Sequence, residues 1–151
     1  MEKTTYQAAE IEISYKPNFK ASERPQIDSS SRAFDILLNS WSEDKIEFLE
    51  EFKIILLNRA NRVLGIVNIS QGGIAGAYTD PKVIFAIALK ANSSGIILSH
   101  NHPSGNTQPS QADIRLTEKM VKIGELLELP ILDHIIVCTD KYYSFKDEEL
   151  M

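Results

Sequence analysis

Gly95-Ile96-Ile97-Leu98-Ser99-His100-Asn101-His102-Pro103-Ser104-Gly105 is the stretch on which the fold turns, and Pro109-Ser110-Gln111-Ala112-Asp113 follows it. Its first half is a short apolar run without polar alternation, the pattern of a strand buried on both faces. Such a strand needs helices or other elements packed on both sides of its sheet. Its second half sets two of the chain's three histidines two positions apart at the strand's end. In extended backbone, residues i and i+2 point to the same side, so both imidazoles converge on one point. Asp113 stands at the start of the next amphipathic stretch, and Pro103, Gly105 and Pro109 let the intervening loop fold back. His100, His102 and Asp113 therefore form a candidate three-ligand metal site. It lies where α/β proteins often carry function, in the loop after a strand.

Upstream of this stretch, Asp80-Pro81 predicts a helix start, with Asp80 as N-cap and proline at the first helical position. Val83, Ile84, Ile87, Ala88 and Ala91 supply its apolar face, and Asn92-Ser93-Ser94-Gly95 ends it. Phe52 to Leu57 and Val63 to Ile69 read as two strands joined by a turn at Asn58-Arg59-Ala60-Asn61, a hairpin. Gln71-Gly72-Gly73 and Gly76 read as a glycine-rich loop. Downstream, a helix is expected from about Ser110 to Leu129, with Leu116, Met120, Ile123 and Leu127 as its core stripe. Pro130 closes it. Ile131 to Cys138 and Tyr142 to Phe145 are further strands. Helices between strands predict an α/β fold, and the hairpin excludes a wholly parallel sheet.

Residues 1–40 read as an N-terminal arm packed on a main domain of residues 41–151. In the arm, Ile11, Ile13 and Tyr15 alternate with polar residues and predict a half-buried strand. Phe34, Leu37, Leu38 and Trp41 fall at helical spacing after N-cap candidates Ser29-Ser30-Ser31.

Composition narrows the function classes. The chain of 151 residues is 43% hydrophobic and 25% charged, an ordinary globular balance. No apolar run approaches the ~18 residues that would span a bilayer. Met1-Glu2-Lys3-Thr4-Thr5 lacks the apolar core of a signal peptide. The single cysteine, Cys138, excludes an intrachain disulfide framework and cysteine-rich zinc sites, and fits a reducing cytoplasm. A formal charge of −5 gives no global basic footprint for nucleic acid. Arg115, Lys119 and Lys122 do share one helix face, which reads first as a solvated surface.

Two histidines and a carboxylate are a donor set that zinc accepts, and a catalytic zinc keeps an open position beside three protein ligands. Iron or manganese could occupy a similar set. Ser110-x-x-Asp113 also has the spacing of a capping box, and the two roles are compatible. The zinc deaminase pattern requires His-x-Glu with a later Pro-Cys-x-x-Cys, which this chain lacks. The His-Glu-x-x-His signature of helical metalloproteases is absent as well. His134 reads as a core residue or an outer partner of the site, with Asp133 beside it as an available carboxylate.

His100-x-His102-Pro103 followed by Ser110-x-x-Asp113 resembles the JAMM motif of JAB/MPN metalloproteases. The fuller run from Leu98 to Asp113, together with Leu132-Asp133-His134, resembles the bacterial RadC-like branch, over about residues 48 to 151. The resemblance implies a cytidine-deaminase-like α/β fold with a curved mixed sheet between helices. It implies one zinc per chain on His100, His102 and Asp113, and Ser110 as a hydrogen-bond donor to the scissile carbonyl oxygen. It also implies an upstream glutamate as general base. Glu50, just before the Ile54–Leu57 strand, fits that place best, with Glu47 and Glu51 as rivals. Asn101 stands where deubiquitinating relatives carry serine or threonine, which argues against a ubiquitin-type substrate.

The leading expectation is a cytoplasmic zinc hydrolase cleaving a peptide or isopeptide amide in an unidentified protein substrate. The alternative is a DNA-repair or mobile-element accessory protein in which the metal is structural or vestigial. A metal-stabilised interaction module without catalysis is a third.

Overall fold

The computed structural model describes residues 7–12, 14, 16, 18–72 and 79–151. Two seven-residue strands, β1 (Glu51–Leu57) and β3 (Gly95–Asn101), are buried along their whole length. Their β-branched and leucine-rich runs fit that position, because a central strand meets packed layers on both faces. β1 pairs antiparallel with β2 (Val63–Gln71), the expected hairpin, and antiparallel with β3 on its other side. β3 then pairs in parallel with β4 (Ile131–Val137), and β5 (Tyr142–Ser144) closes the sheet antiparallel to β4. The result is a five-stranded mixed sheet of order β2-β1-β3-β4-β5.

Strand parity divides the core in two. Phe52, Ile54 and Leu56 of β1, with Ile96 and Leu98 of β3, face α2 (Pro81–Lys90) and α3 (Gln111–Leu126) through Ile84, Phe85, Ala88 and Met120. Ile55, Leu57, Ile97, Ile135 and Val137 point the other way. They are covered by Ala33 and Leu37 of α1 (Ser30–Ser40), with Ile27, Trp41 and Ile46. Burying one such leucine or isoleucine is worth ~1.5–3 kcal/mol, so α1 is held by its apolar face. Lys53 reinforces the end of α1. It is 7% exposed, donates to the carbonyl of Ser40 at 2.8 Å and lies 4.4 Å over the Trp41 ring. A cation at a helix C-terminus is favoured by the exposed carbonyls there.

The helix starts follow the capping residues. Asp80 accepts from the amide of Lys82, with Pro81 at the first position. Ser29 accepts from the amide of Arg32 ahead of α1. α3 is shorter than its apolar stripe suggested, and Leu127 is 45% exposed, because the chain turns at Gly124–Leu129 to enter β4. A strand is expected around Ile11; the described residues there, 7–12, 14 and 16, carry no regular structure, and Ile11 is 87% exposed. Ile13 and Tyr15 lie outside the described residues, as do Gly73 and Gly76. Gly72, at the edge of that loop, donates its amide to the carbonyl of Glu50 at 2.9 Å. No helix among the described residues is long and apolar enough to cross a membrane.

Candidate metal centre

β3 carries His100 on the face shared with Leu98, and His102 follows one step beyond the strand's end. The amide of His102 still donates to Val137, so its backbone continues the β3–β4 pairing. A turn then reverses the chain, with Gly105 donating to the carbonyl of His102 and adopting φ +81°, where a side chain would be strained. The reversal delivers Ser110 and Asp113 to the two histidines. Ser110 caps α3: its hydroxyl accepts from the amide of Asp113 at 3.1 Å, while the Asp113 carboxylate accepts from the amide of Ser110 at 2.8 Å. The capping box and the ligand position thus coincide, and the cap sets the direction of Asp113.

The three side chains meet. His100 Nε2 and His102 Nε2 are 3.0 Å apart, and each lies 3.4 Å from an Asp113 carboxylate oxygen. They form a group that could hold a metal ion. His102 Nδ1 lies 2.6 Å from the carbonyl of Asn106. A carbonyl only accepts, so Nδ1 carries the proton and Nε2 presents its lone pair. His100 reaches His134 instead, Nδ1 to Nε2 at 2.8 Å. Lone pairs and a carboxylate at this spacing repel one another unless a cation sits among them, and the donor set fits a divalent metal.

Electrostatics agree. Burial works to raise the Asp113 pKa, but the adjoining His100 and His102 rings, followed by the Ser110 amide, overcome it and hold the carboxyl well below the usual range. Burial pulls the His102 pKa down, yet the Asp113 carboxylate beside it raises it on balance. A proton can occupy the place of the metal, so the two compete. His134 is wholly buried, and burial followed by the neighbouring His100 pushes it well below its ordinary value, towards the neutral ring.

The three candidate glutamates part company. Glu51 lies on the α1 side of β1, opposite to His100, and accepts from the Asn68 amide at 2.6 Å. Glu47 is exposed, its carboxylate 3.4 Å from the Thr139 hydroxyl. Glu50 is half-buried and lines a cleft of about 430 Å³ together with His102, Pro103 and Phe48. The β1–β3 pairing ends at Phe52 and His100, and Glu50, two residues before Phe52, lies near enough to His102 for its charge to act on that ring.

Three further residues brace the elements that carry the centre, and sequence reading did not assign them that part. Asn101 is fully buried on the far face, accepting from the amide of Glu51 at 2.7 Å and donating to the carbonyls of Ile46 and Leu49 at 2.7 and 2.9 Å. Thr117, four residues after Asp113, approaches His134 Nδ1 at 2.7 Å. Cys138, the buried free thiol, donates to the carbonyl of His102 at 3.7 Å. Asp133, in contrast, takes no part. It turns away and accepts from the Ser144 hydroxyl and the amides of Lys146 and His134.

The model of the RadC-like JAB domain matches residues 27–150. A UPF0758 protein of Flavobacterium johnsoniae is 48% identical over 99 residues, covering 66% of this chain and 43% of the relative. One from Alkaliphilus metalliredigens is 46% identical over 102 residues, covering 68% and 44%. One from Chlorobaculum parvum is 33% identical over 144 residues, covering 95% and 64%. The chain spans about half the length of several such relatives, and residues 27–150, matched by the family model, include both apolar layers of the sheet. This chain belongs to the family of RadC-like JAB domains.

Proposed function

We propose that the chain is a zinc-dependent hydrolase that cleaves an amide bond in a peptide or protein. The observation that carries this reading is the shared cleft. His102, one of the three convergent side chains, and the Glu50 carboxylate open onto the same space. Zinc held by His100, His102 and Asp113 would supply Lewis-acid polarisation and an acidified water. Glu50, which lines the same cleft as His102, would take the proton from that water and return it to the leaving amine. The Ser110 hydroxyl accepts from Asp113, which leaves its own proton to donate to a carbonyl oxygen gaining charge. Losing one such donor commonly costs about 100- to 1000-fold in rate.

The test is a split between metal and turnover. Purified protein should contain zinc, and His100→Ala should lose it. Glu50→Gln should keep the zinc yet lose cleavage of a mass-encoded peptide library that the unaltered chain processes. Purified protein without a transition metal, or a fully active Glu50→Gln variant, overturns the reading.

The exposed Arg115, Lys119 and Lys122 on α3 support a second reading, a nucleic-acid accessory protein with a structural metal. Salt-sensitive DNA binding that weakens on Lys119→Ala and Lys122→Ala would favour it. The net charge of −5 weighs against it.

A further inference from the structure

We propose that His134 and Thr117 are positioning residues that fix the ring tautomer of His100, and through it the nitrogen offered to a metal. The inference rests on the reading of His100, His102 and Asp113 as metal ligands, and not on hydrolysis.

A chain of four groups carries the argument. The Thr117 hydroxyl lies 2.8 Å from the carbonyl of Asp113 and 2.7 Å from His134 Nδ1. A hydroxyl has one proton, and a carbonyl can only accept. Thr117 therefore donates to Asp113, and His134 Nδ1 must donate to Thr117. That leaves His134 Nε2 as an acceptor in the neutral ring. His100 Nδ1, 2.8 Å away, must then be the donor. The lone pair of His100 falls on Nε2, the atom 3.0 Å from His102 Nε2 and 3.4 Å from Asp113. One helix carbonyl thus decides, two side chains away, which nitrogen of a metal ligand is free. The carbonyl belongs to Asp113 itself, so the chain closes on a second ligand and ties β3, β4 and α3 into one ring.

The surroundings leave the chain little freedom. His134 and Thr117 are fully buried and His100 nearly so. Phe145 stacks on His134 with ring centres 4.7 Å apart at 12°, and Phe52 meets it edge-on at 5.7 Å. A metal-ligating histidine usually donates its second N–H to a carboxylate, a carbonyl or water. His102 follows that pattern through Asn106, whereas His100 is given a neutral ring. Asp133, the adjacent carboxylate, is turned to the other face. The site thereby keeps a single negative ligand, Asp113, and fixes the orientation of His100 without a second charge.

The test uses cobalt(II) as probe metal, with its dissociation constant measured by competition against a chromophoric chelator. Thr117→Val removes the hydroxyl at nearly constant shape and should weaken cobalt binding about 10- to 100-fold, the usual cost of losing such an outer partner. Thr117→Ser restores the hydroxyl and should restore the affinity. Independently of any variant, long-range proton–nitrogen correlation on the unaltered protein, as purified and after chelation, should find His134 and His100 both protonated on Nδ1. A His134 protonated on Nε2, or wild-type cobalt affinity in a folded Thr117→Val protein, overturns the assignment. If Thr117→Val does not fold, the tautomer measurement decides alone. Unaltered protein that takes up no cobalt overturns the metal reading, and this inference with it.

Discussion

Asn101 lies between the two histidines and does the opposite job. They face the ligand point, while its amide reaches through the far side to the segment that carries Glu50. It satisfies one amide and two carbonyls of residues 46–51. Those groups are buried, and a buried polar group left alone costs about 1–3 kcal/mol. Asn101→Ala is expected to destabilise the fold by about 2–4 kcal/mol in urea denaturation, because water can re-satisfy part of the loss. Its zinc content should be unchanged, since the ligands lie on the other face. A loss under about 1 kcal/mol would remove Asn101 as the anchor of that segment. The residue scale was partly legible in the sequence. The i, i+2 spacing of the histidines and the cap spacing of Ser110 and Asp113 are local rules, and the structure brings those side chains together. Asn101 carried a signal too: an amide of opposite parity in an apolar strand must find partners. Asp133 misled, because adjacency to His134 in sequence means opposite faces in a strand.

Caps and apolar runs made most elements legible. Asp80-Pro81, Ser29 and Ser110 begin helices where their side-chain bonds require. Around Ile11 the described residues form no strand, since alternation describes a strand's faces and supplies no neighbouring strand to pair with. The end of α3 was also invisible, because a tertiary contact sets it. Gly124 sits where a Cβ would come 2.6 Å from the carbonyl oxygen of Leu129, whose own amide donates to Gly124. Two effects oppose each other in Gly124→Ala. Alanine gains up to ~1 kcal/mol of helix propensity. Overpacking against backbone costs ~1–3 kcal/mol, and here the obstacle is a carbonyl that cannot swing aside. The clash wins, and the melting temperature should fall by about 3–6 °C at the ~2–4 °C per kcal/mol typical of this size. A melting temperature at or above wild type would show that the α3–β4 corner gives way readily.

At the scale of the whole molecule, the candidate site draws on three separate stretches of chain: the 42–50 segment, the end of β3 and the start of α3. Sequence alone could place the last two together, because a short loop joins them. Glu50 needed the register of β1 against β3, which no local rule supplies. The same architecture decides what the metal does for stability. In small zinc modules the ligands come together only with the metal, and the apo chain unfolds. Here a capping box holds Asp113, the β3–β4 pairing reaches His102, and His134 holds His100, all independently of any ion. Both apolar layers lie beyond the site as well. The metal-free chain is therefore expected to stay folded, with an unchanged far-ultraviolet circular dichroism spectrum. Metal that binds only the native state still stabilises it, by about 2.7 kcal/mol at a free concentration 100 times the dissociation constant. That corresponds to a rise of about 5–10 °C in melting temperature for a chain of this length. Adding zinc to chelated protein should give this rise, and His100→Ala should abolish it while keeping the spectrum. Collapse of the spectrum on chelation would mean that the metal organises the centre, and that the caps and the buried histidine ring only follow it.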